Sequence, residues 1–273
     1  MTVNNIYARY HAKSKISMVT CYDYTMAVLV NGTPIDAVLV GDSTAMVMHG
    51  HDTTLPITIE QMTWHTAAVV KGLSNKMVIA DLPFLSYRQG IQVGMQAVAR
   101  LMQAGAHAVK LEGASGNLEF IKHCVESGVP VMGHIGLTPQ LVHQLGGFKV
   151  QGKTMEAAEQ LQRDAQDLQQ AGCFSLVLEC VPAELALTVT ESLRIPTIGI
   201  GAGPDTSGQI LVLQDLLGMN SAFSPKFVKQ YVDGASLIQD ALVDYDNEVK
   251  SRSFPILGQH TFKQSIALSE SEQ

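Results

Sequence analysis

Short apolar runs with no polar alternation recur along this chain, and amphipathic stretches fill almost every gap between them. The runs are Ile16–Thr20, Ala37–Val40, Met77–Ala80, Ala108–Leu111, Pro130–Gly133, Ser175–Leu178, Thr197–Ile200 and, most weakly, Gly218–Ala222. Such a run suits a parallel strand covered on both faces, because neither face is left to water. The intervening stretches carry helix signals. Thr58-x-x-Gln61 is a capping box ahead of Met62 and Val69. Thr154 can cap a helix whose face carries Met155, Ala158, Leu161, Ala165 and Leu168, with Gly172 as its stop. Pro182 stands at a first helical position before Leu185, Val189 and Leu193.

Eight β-then-α units in 273 residues predict an α/β fold, a single-domain (β/α)8 TIM barrel spanning residues 1–263. The weak eighth run keeps an open doubly wound sheet as the alternative. Residues 264–273 are polar and aperiodic, which predicts a disordered C-terminal tail. A hydrophobic content of 46% is enough for a full core. The net charge of −7 and the lack of any Lys/Arg run argue against nucleic acid or an anionic membrane as partner. No stretch approaches the ~18 apolar residues of a membrane span. The segment with Arg9, Lys13 and Lys15 is too short for a transit peptide and lacks the apolar part of a secretion signal, so it reads as an ordinary exposed N-terminal segment. Cys21, Cys124, Cys173 and Cys180 form no CxxC pair; they read as buried free thiols, and the expected location is cytoplasmic.

Three runs close on a carboxylate: Asp42, Asp81 and Glu112. Mid-strand, each would face a desolvation cost of several kcal/mol (roughly); at the end of a run it can meet water, a metal or a substrate. The three read as oxygen ligands gathered at one mouth for a hard cation such as Mg²⁺. In a barrel the active site lies at the strand C-termini, where the chain has Tyr22-Asp23, Asp42-Ser43, Asp81, Lys110, Glu112, His134, Glu179 and Gly199-Ile200-Gly201-Ala202-Gly203. Strand alternation puts Lys110 and Glu112 on one face, so both can enter one pocket.

Each residue has a plainer reading. Asp42 or Asp81 could cap the following helix, although Leu82-Pro83 disfavours this for Asp81. Lys110 and Glu112 could form a surface ion pair. Glu179 sits in apolar company, which raises a carboxyl pKa and makes it a candidate base or a buried structural residue. His49-x-His51 could hold a soft metal, but nothing else near it in sequence completes a site, and a solvated loop is the stronger reading. The Gly199–Gly203 run is weak alone, and no nucleophile elbow or phosphate-binding loop is present.

Several segments together resemble one family. They are Val40-Gly41-Asp42-Ser43, Ala80-Asp81-Leu82-Pro83-Phe84, Val109-Lys110-Leu111-Glu112-Gly113 and Gly133-His134-Ile135-Gly136-Leu137-Thr138-Pro139-Gln140, followed by His143-Gln144-Leu145-Gly146-Gly147, Leu178-Glu179-Cys180-Val181-Pro182 and Thr197 to Gly203. The pattern is similar to ketopantoate hydroxymethyltransferase from about Ile16 to Phe262. It departs at Thr44-Ala45-Met46, where the family usually has Leu-Gly-Met, and at Leu213-Gln214 before Asp215, where it often has Trp-His. The resemblance implies a barrel assembled into a homo-oligomer, decameric in bacterial members. It implies transfer of a hydroxymethyl group from 5,10-methylenetetrahydrofolate to 3-methyl-2-oxobutanoate, giving 2-dehydropantoate on the route to pantothenate and coenzyme A. It further implies that Asp42, Asp81 and Glu112 position Mg²⁺ directly or through water, that Ser43, Lys110 and His134 hold the oxo acid with Asp42 and Asp81, and that Glu179 takes its proton. A metal-dependent barrel lyase or aldolase working without folate, and a non-catalytic ligand-binding barrel, are the rival classes.

Overall fold

Seven of the eight apolar runs become parallel strands in the computed structural model, which describes residues 2–220 and 225–262. The strands are β1 (Ile16–Thr20), β2 (Ala37–Val40), β3 (Met77–Asp81), β4 (Ala108–Glu112), β5 (Val131–Gly136), β6 (Ser175–Glu179), β7 (Thr197–Ile200) and β8 (Gly208–Leu211). Neighbours in sequence pair in parallel, and β8 pairs back with β1 from Ile16↔Gly208 to Val19↔Leu211, so the sheet closes into a barrel. Closure rules out the open sheet.

The helices are α1 (Val3–His11), α2 (Tyr24–Asn31), α3 (Thr44–Val47), α4 (Ile59–Gly72), α5 (Ile91–Gln103) and α6 (Leu118–Glu126). Then come α7 (Val142–Leu145), α8 (Met155–Gln170), α9 (Ala183–Ser192), α10 (Leu213–Leu216) and α11 (Gly234–Ser251).

The eighth strand corrects the sequence reading. It is Gly208–Leu211, not Gly218–Ala222; Gly218 lies in a turn at φ +63, and residues 221 and 222 lie outside the described residues. Exposed Gln209 interrupts the apolar character of β8, which hides it from a search for continuous runs. Gly208 is there for closeness: a Cβ would stand 2.4 Å from the Ile16 carbonyl oxygen of β1, nearer than any side chain tolerates.

Expected helix signals are largely present. Thr58 and Gln61 complete their capping box, and Met62 and Val69 are buried beneath it. The Thr154 hydroxyl accepts from the Ala157 N–H, and Leu161, Ala165 and Leu168 are buried. Met155, predicted on the same face, is 81% exposed, because the buried face of α8 begins only at Leu161. Pro182 is the N-cap and the helix starts at Ala183, one position later than predicted. The N-terminal segment also differs from its reading as exposed chain. It forms α1, and Ile6 enters the barrel core beside residues such as Ile16, Ala37, Met77 and Ala108 at the strand starts.

That core sets up the site by parity. Ile16 and Met18, Ala37 and Leu39, Met77 and Ile79 face inward two residues apart, with Ala108, Met132 and Val177 at equivalent places. The next inward positions are Asp81 after Ile79, Lys110 and Glu112 after Ala108, His134 after Met132, and Glu179 after Val177. Apolar layers fill the lower barrel, and a charged layer follows directly above them.

The chain divides into two compact units. One is Met1–Leu213 with Pro225–Val228 and holds the barrel; the other is Gln214–Ser224 with Lys229–Gln273. In the second, Asp233 caps α11 by accepting from the Ser236 N–H. The predicted tail, 264–273, lies outside the described residues. Cys21, Cys124 and Cys173 are buried and Cys180 half-buried, all as free thiols. Among the described residues no helix is long and apolar enough to cross a membrane.

Candidate active site

Strand register brings the charged residues together. Asp81 on β3 is the register partner of Lys110 on β4, and Glu112 on β4 is the partner of His134 on β5. Lys110 Nζ lies 3.0 Å from Asp81 Oδ1 and 3.2 Å from His134 Nδ1. His134 Nδ1 lies 3.4 Å from Glu112 Oε1, and its Nε2 lies 3.2 Å from Glu179 Oε2 on β6. The ring therefore bridges two carboxylates.

Burial decides among the readings left open for three of these places. The strand-end carboxylates do not open to water: Asp42, Asp81 and Glu112 are all buried. They exchange hydration for charge pairs and N–H donors, which is what a buried carboxylate requires. Lys110 does not form a surface pair with Glu112; it is 3% exposed, and its ion-pair partner is Asp81. Glu179 also has a polar partner in His134 rather than apolar neighbours alone, and its side chain keeps 17% exposure.

Asp42 lies just past β2, where its own N–H donates to Asp81 Oδ2 at 3.0 Å. Its Oδ2 accepts from Gln140 Nε2 at 2.8 Å. Gln140 sits on the short 3₁₀ turn Pro139–Leu141 that follows β5. Its backbone N–H donates to Glu112 Oε2 at 2.9 Å, Nε2 also donates to the Leu82 carbonyl, and Oε1 accepts from Tyr87 Oη at 2.9 Å. One glutamine thus ties Asp42 to Glu112. Gln140 stands in the Gly133–Gln140 motif with no role assigned from sequence, and Tyr87 stands in none of the motifs. The usable signal is the Thr138-Pro139-Gln140 step shortly after β5. Ser43 Oγ lies 2.8 Å from the hydroxyl of Tyr22, which is fully buried.

The electrostatics follow from four carboxylates around two cationic side chains. Burial pushes the Asp42 carboxyl well above the usual carboxylate range, and the negative charges of Asp81 and Glu112 add to this. Burial also raises Asp81, although Lys110 pulls it back. For Glu112 burial is the largest single influence and acts upward, but His134, Lys110 and the Gln140 N–H together hold it below its ordinary value. His134 is pushed down by burial and by Lys110, yet Glu112 and Glu179 outweigh both and raise it to about 9. Lys110 is raised by Asp81, Glu112 and Asp42 against the opposing effect of burial. At neutral pH His134 is then an imidazolium. Its 3.2 Å approach to Lys110 is a like-charge contact that the carboxylates offset.

Among the described residues no three His, Cys, Asp or Glu side chains stand ready as one ligand set. The donor chemistry nonetheless suits a hard cation. Asp42, Asp81 and Glu112 are joined in one network through Gln140 and the Asp42 N–H, and their mutual repulsion is part of what raises Asp42. A divalent cation would relieve that repulsion. The Gly199–Gly203 run instead ends β7 at Ile200 and opens the β7–β8 connection, where the Gly203 carbonyl accepts from Gln209 Nε2.

Comparison with known proteins agrees with this arrangement. The sequence model of the family described as Ketopantoate hydroxymethyltransferase matches residues 1–256. The chain is 59% identical over 89% of its length to the 3-methyl-2-oxobutanoate hydroxymethyltransferase of Francisella tularensis subsp. novicida, covering 92% of that protein. It is 58% identical to the protein of the same name from Bdellovibrio bacteriovorus, over 93% of this chain and 97% of that one. Among solved structures, phosphoenolpyruvate phosphomutase from Streptomyces platensis subsp. rosaceus superposes with a TM-score of 0.63 at 12% identity, over 92% of this chain and 88% of the other. Phosphonopyruvate hydrolase in complex with oxalate and Mg²⁺ does so with a TM-score of 0.60 at 11% identity, over 95% and 93%. At such identities the last two share the fold alone. The family match across the barrel and the two close relatives settle the lineage: this chain is a transferase belonging to the ketopantoate hydroxymethyltransferase family.

Proposed function

We propose that the transferase moves a hydroxymethyl group from 5,10-methylenetetrahydrofolate to 3-methyl-2-oxobutanoate, forming 2-dehydropantoate for pantothenate and coenzyme A synthesis. The observation that carries this reading is Glu179, partly open to solvent and 3.2 Å from an imidazolium that is itself anchored on Glu112. The C3 proton of the oxo acid is too weakly acidic for a carboxylate unless charge developing on the keto oxygen is stabilised. Lys110, buried beside that position, supplies one fixed positive charge. Mg²⁺ held by Asp42, Asp81 and Glu112, directly or through water, would supply a second by drawing charge off the keto and carboxylate oxygens.

The chain's own residues divide the work. Ser43, Lys110 and His134, with Asp42 and Asp81, hold the oxo acid against the charged layer. Glu179 accepts the C3 proton, and the pair of electrons left behind forms the enolate. Water adds to the one-carbon unit and supplies its oxygen, tetrahydrofolate leaves as the amine with a proton from that water, and the enolate carbon attacks the released formaldehyde-level carbon, whose oxygen takes up a proton to become the hydroxyl. Gln140 and Tyr87 keep Asp42 and Glu112 apart and aligned.

Self-association into a homo-oligomer, a decamer by family resemblance, is part of the proposal. Leu237, Ile238, Leu242, Val243 and Tyr245 of α11 are exposed, which is costly in water unless another surface covers them. Free cysteines agree with a cytoplasmic location. The test is direct: combine the protein with 3-methyl-2-oxobutanoate, methylenetetrahydrofolate and Mg²⁺ and look for 2-dehydropantoate. Turnover of the oxo acid without folate would favour a lyase. Binding of the oxo acid with no metal-dependent proton exchange would favour a non-catalytic barrel.

A further inference from the structure

Nothing near His49-x-His51 in sequence completes a site, but folding brings a histidine from another element to His49. His65 on α4 brings its Nε2 to 3.1 Å from Nε2 of His49, which lies just after α3. The other ring nitrogen of His65, Nδ1, is 2.6 Å from the Tyr22 carbonyl oxygen. A carbonyl only accepts, so Nδ1 carries the proton and the His65 Nε2 lone pair points at His49. A ring nitrogen fixed by a backbone carbonyl while its mate faces outward is the usual support of a metal-binding imidazole. Two imidazole nitrogens on one tetrahedral Zn²⁺, each ~2.0–2.1 Å from the metal, stand about 3.3–3.4 Å apart, close to the separation observed. His51 is exposed on the same loop, with its ring centre 6.3 Å from that of His49. Burial, followed by the charges of His65 and His51, holds His49 below the ordinary histidine range, so a proton competes poorly for it at neutral pH.

We propose that His49 and His65 form a second metal site, for a borderline divalent cation such as Zn²⁺ or Co²⁺, separate from the oxygen-lined centre of Asp42, Asp81 and Glu112. Imidazole prefers such ions, whereas carboxylate oxygens suit Mg²⁺. On binding, the His49 proton moves to Nδ1, whose 3.5 Å contact with Gln61 Nε2 is weak, so no proton need leave the protein. Water completes the coordination, since no third side chain among the described residues joins the set. Occupancy would clamp the loop after α3 onto α4. Tyr22, whose carbonyl holds His65, also reaches Ser43 with its hydroxyl, so the clamp borders the proposed substrate site.

The test uses full-length protein stripped of metal and then saturated with Mg²⁺ to fill the oxygen-lined centre. Co²⁺ is added and followed by its visible absorption and by the shift in melting temperature. The wild type should take up one equivalent and melt higher. His49→Gln, a change at an exposed residue, should lose both effects while folding normally, and His65→Ala should lose them too. Asp81→Ala should retain them. Co²⁺ uptake that survives in His49→Gln, disappears in Asp81→Ala, or never occurs in the wild type would overturn the site.

Discussion

Replacing Lys110 with Met tests whether this lysine is a buried counter-charge or merely a surface partner. An exposed Lys110–Glu112 pair would contribute only ~0–1 kcal/mol, and its loss would barely move the melting temperature. The structure instead buries Lys110 against Asp81 at 3.0 Å, with Asp42 and Glu112 close enough to raise its pKa. Removing one member of a buried pair costs about 3–5 kcal/mol, because the remaining charge stays dehydrated. At about 2–4 °C per kcal/mol for a domain approaching this size, Lys110→Met should melt roughly 6–20 °C below wild type at neutral pH. The deficit should depend on pH. Asp42 and Asp81 already have folded pKa values above their unfolded ones, and losing the lysine raises them further. A carboxyl raised on folding leaves stability intact below its unfolded pKa and removes it as pH climbs through the folded value. The gap between mutant and wild type should therefore be small near pH 4 and widen towards pH 8 (roughly, from carboxyl reference values). Mg²⁺ should narrow it at high pH if the same carboxylates hold the cation. Differential scanning calorimetry across that range reads the result. A gap below about 2 °C at neutral pH, or one that is flat with pH, would refute the buried counter-charge.

Other changes probe the remaining parts. Glu179→Gln should still bind 3-methyl-2-oxobutanoate but lose folate-independent exchange of the C3 hydrogen for deuterium by more than the ~10²-fold of a positioned base; NMR showing wild-type exchange would remove Glu179 from the mechanism. Asp81→Ala should abolish turnover, and EDTA should inactivate the wild type with recovery on adding Mg²⁺; full activity after exhaustive chelation would sink the oxygen-lined metal centre. Gln140→Leu removes the donor to Asp42 and the acceptor for Tyr87, so it should cost about 1–3 kcal/mol of stability and weaken Mg²⁺ binding measured by calorimetry. An unchanged Mg²⁺ affinity would show that Gln140 has only a packing role. Gly136→Ala should fail to fold or melt far lower, because φ is +93 and a Cβ would stand 2.3 Å from the Glu179 carbonyl oxygen; a near-normal melting temperature would mean that β5 can end differently.

The sequence by itself determined seven of the eight strands and the identity of the charged layer, and left open whether the sheet closes. Strand burial on both faces leaves continuous apolar runs, and the two-residue period of a strand carries Lys110, Glu112, His134 and Glu179 inward above Ala108, Met132 and Val177. These are local regularities, readable without knowing what lies opposite. Pairings across the barrel are not local. Whether Lys110 meets Asp81 or Glu112 depends on the β3–β4 register and on how deeply the strand ends are buried, and neither is written in either strand alone. β8 escapes a reading of apolar runs for a related reason: Gln209 breaks its apolar pattern, and pairing with β7 and β1 defines it as a strand. Gln140 joins Asp42 to Glu112, and His65 comes to rest against His49, because elements distant in the chain converge when the sheet closes. Chain order sets which face each side chain takes. Only closure of the barrel decides which charges then share a dehydrated space, and so which protons and cations they can hold.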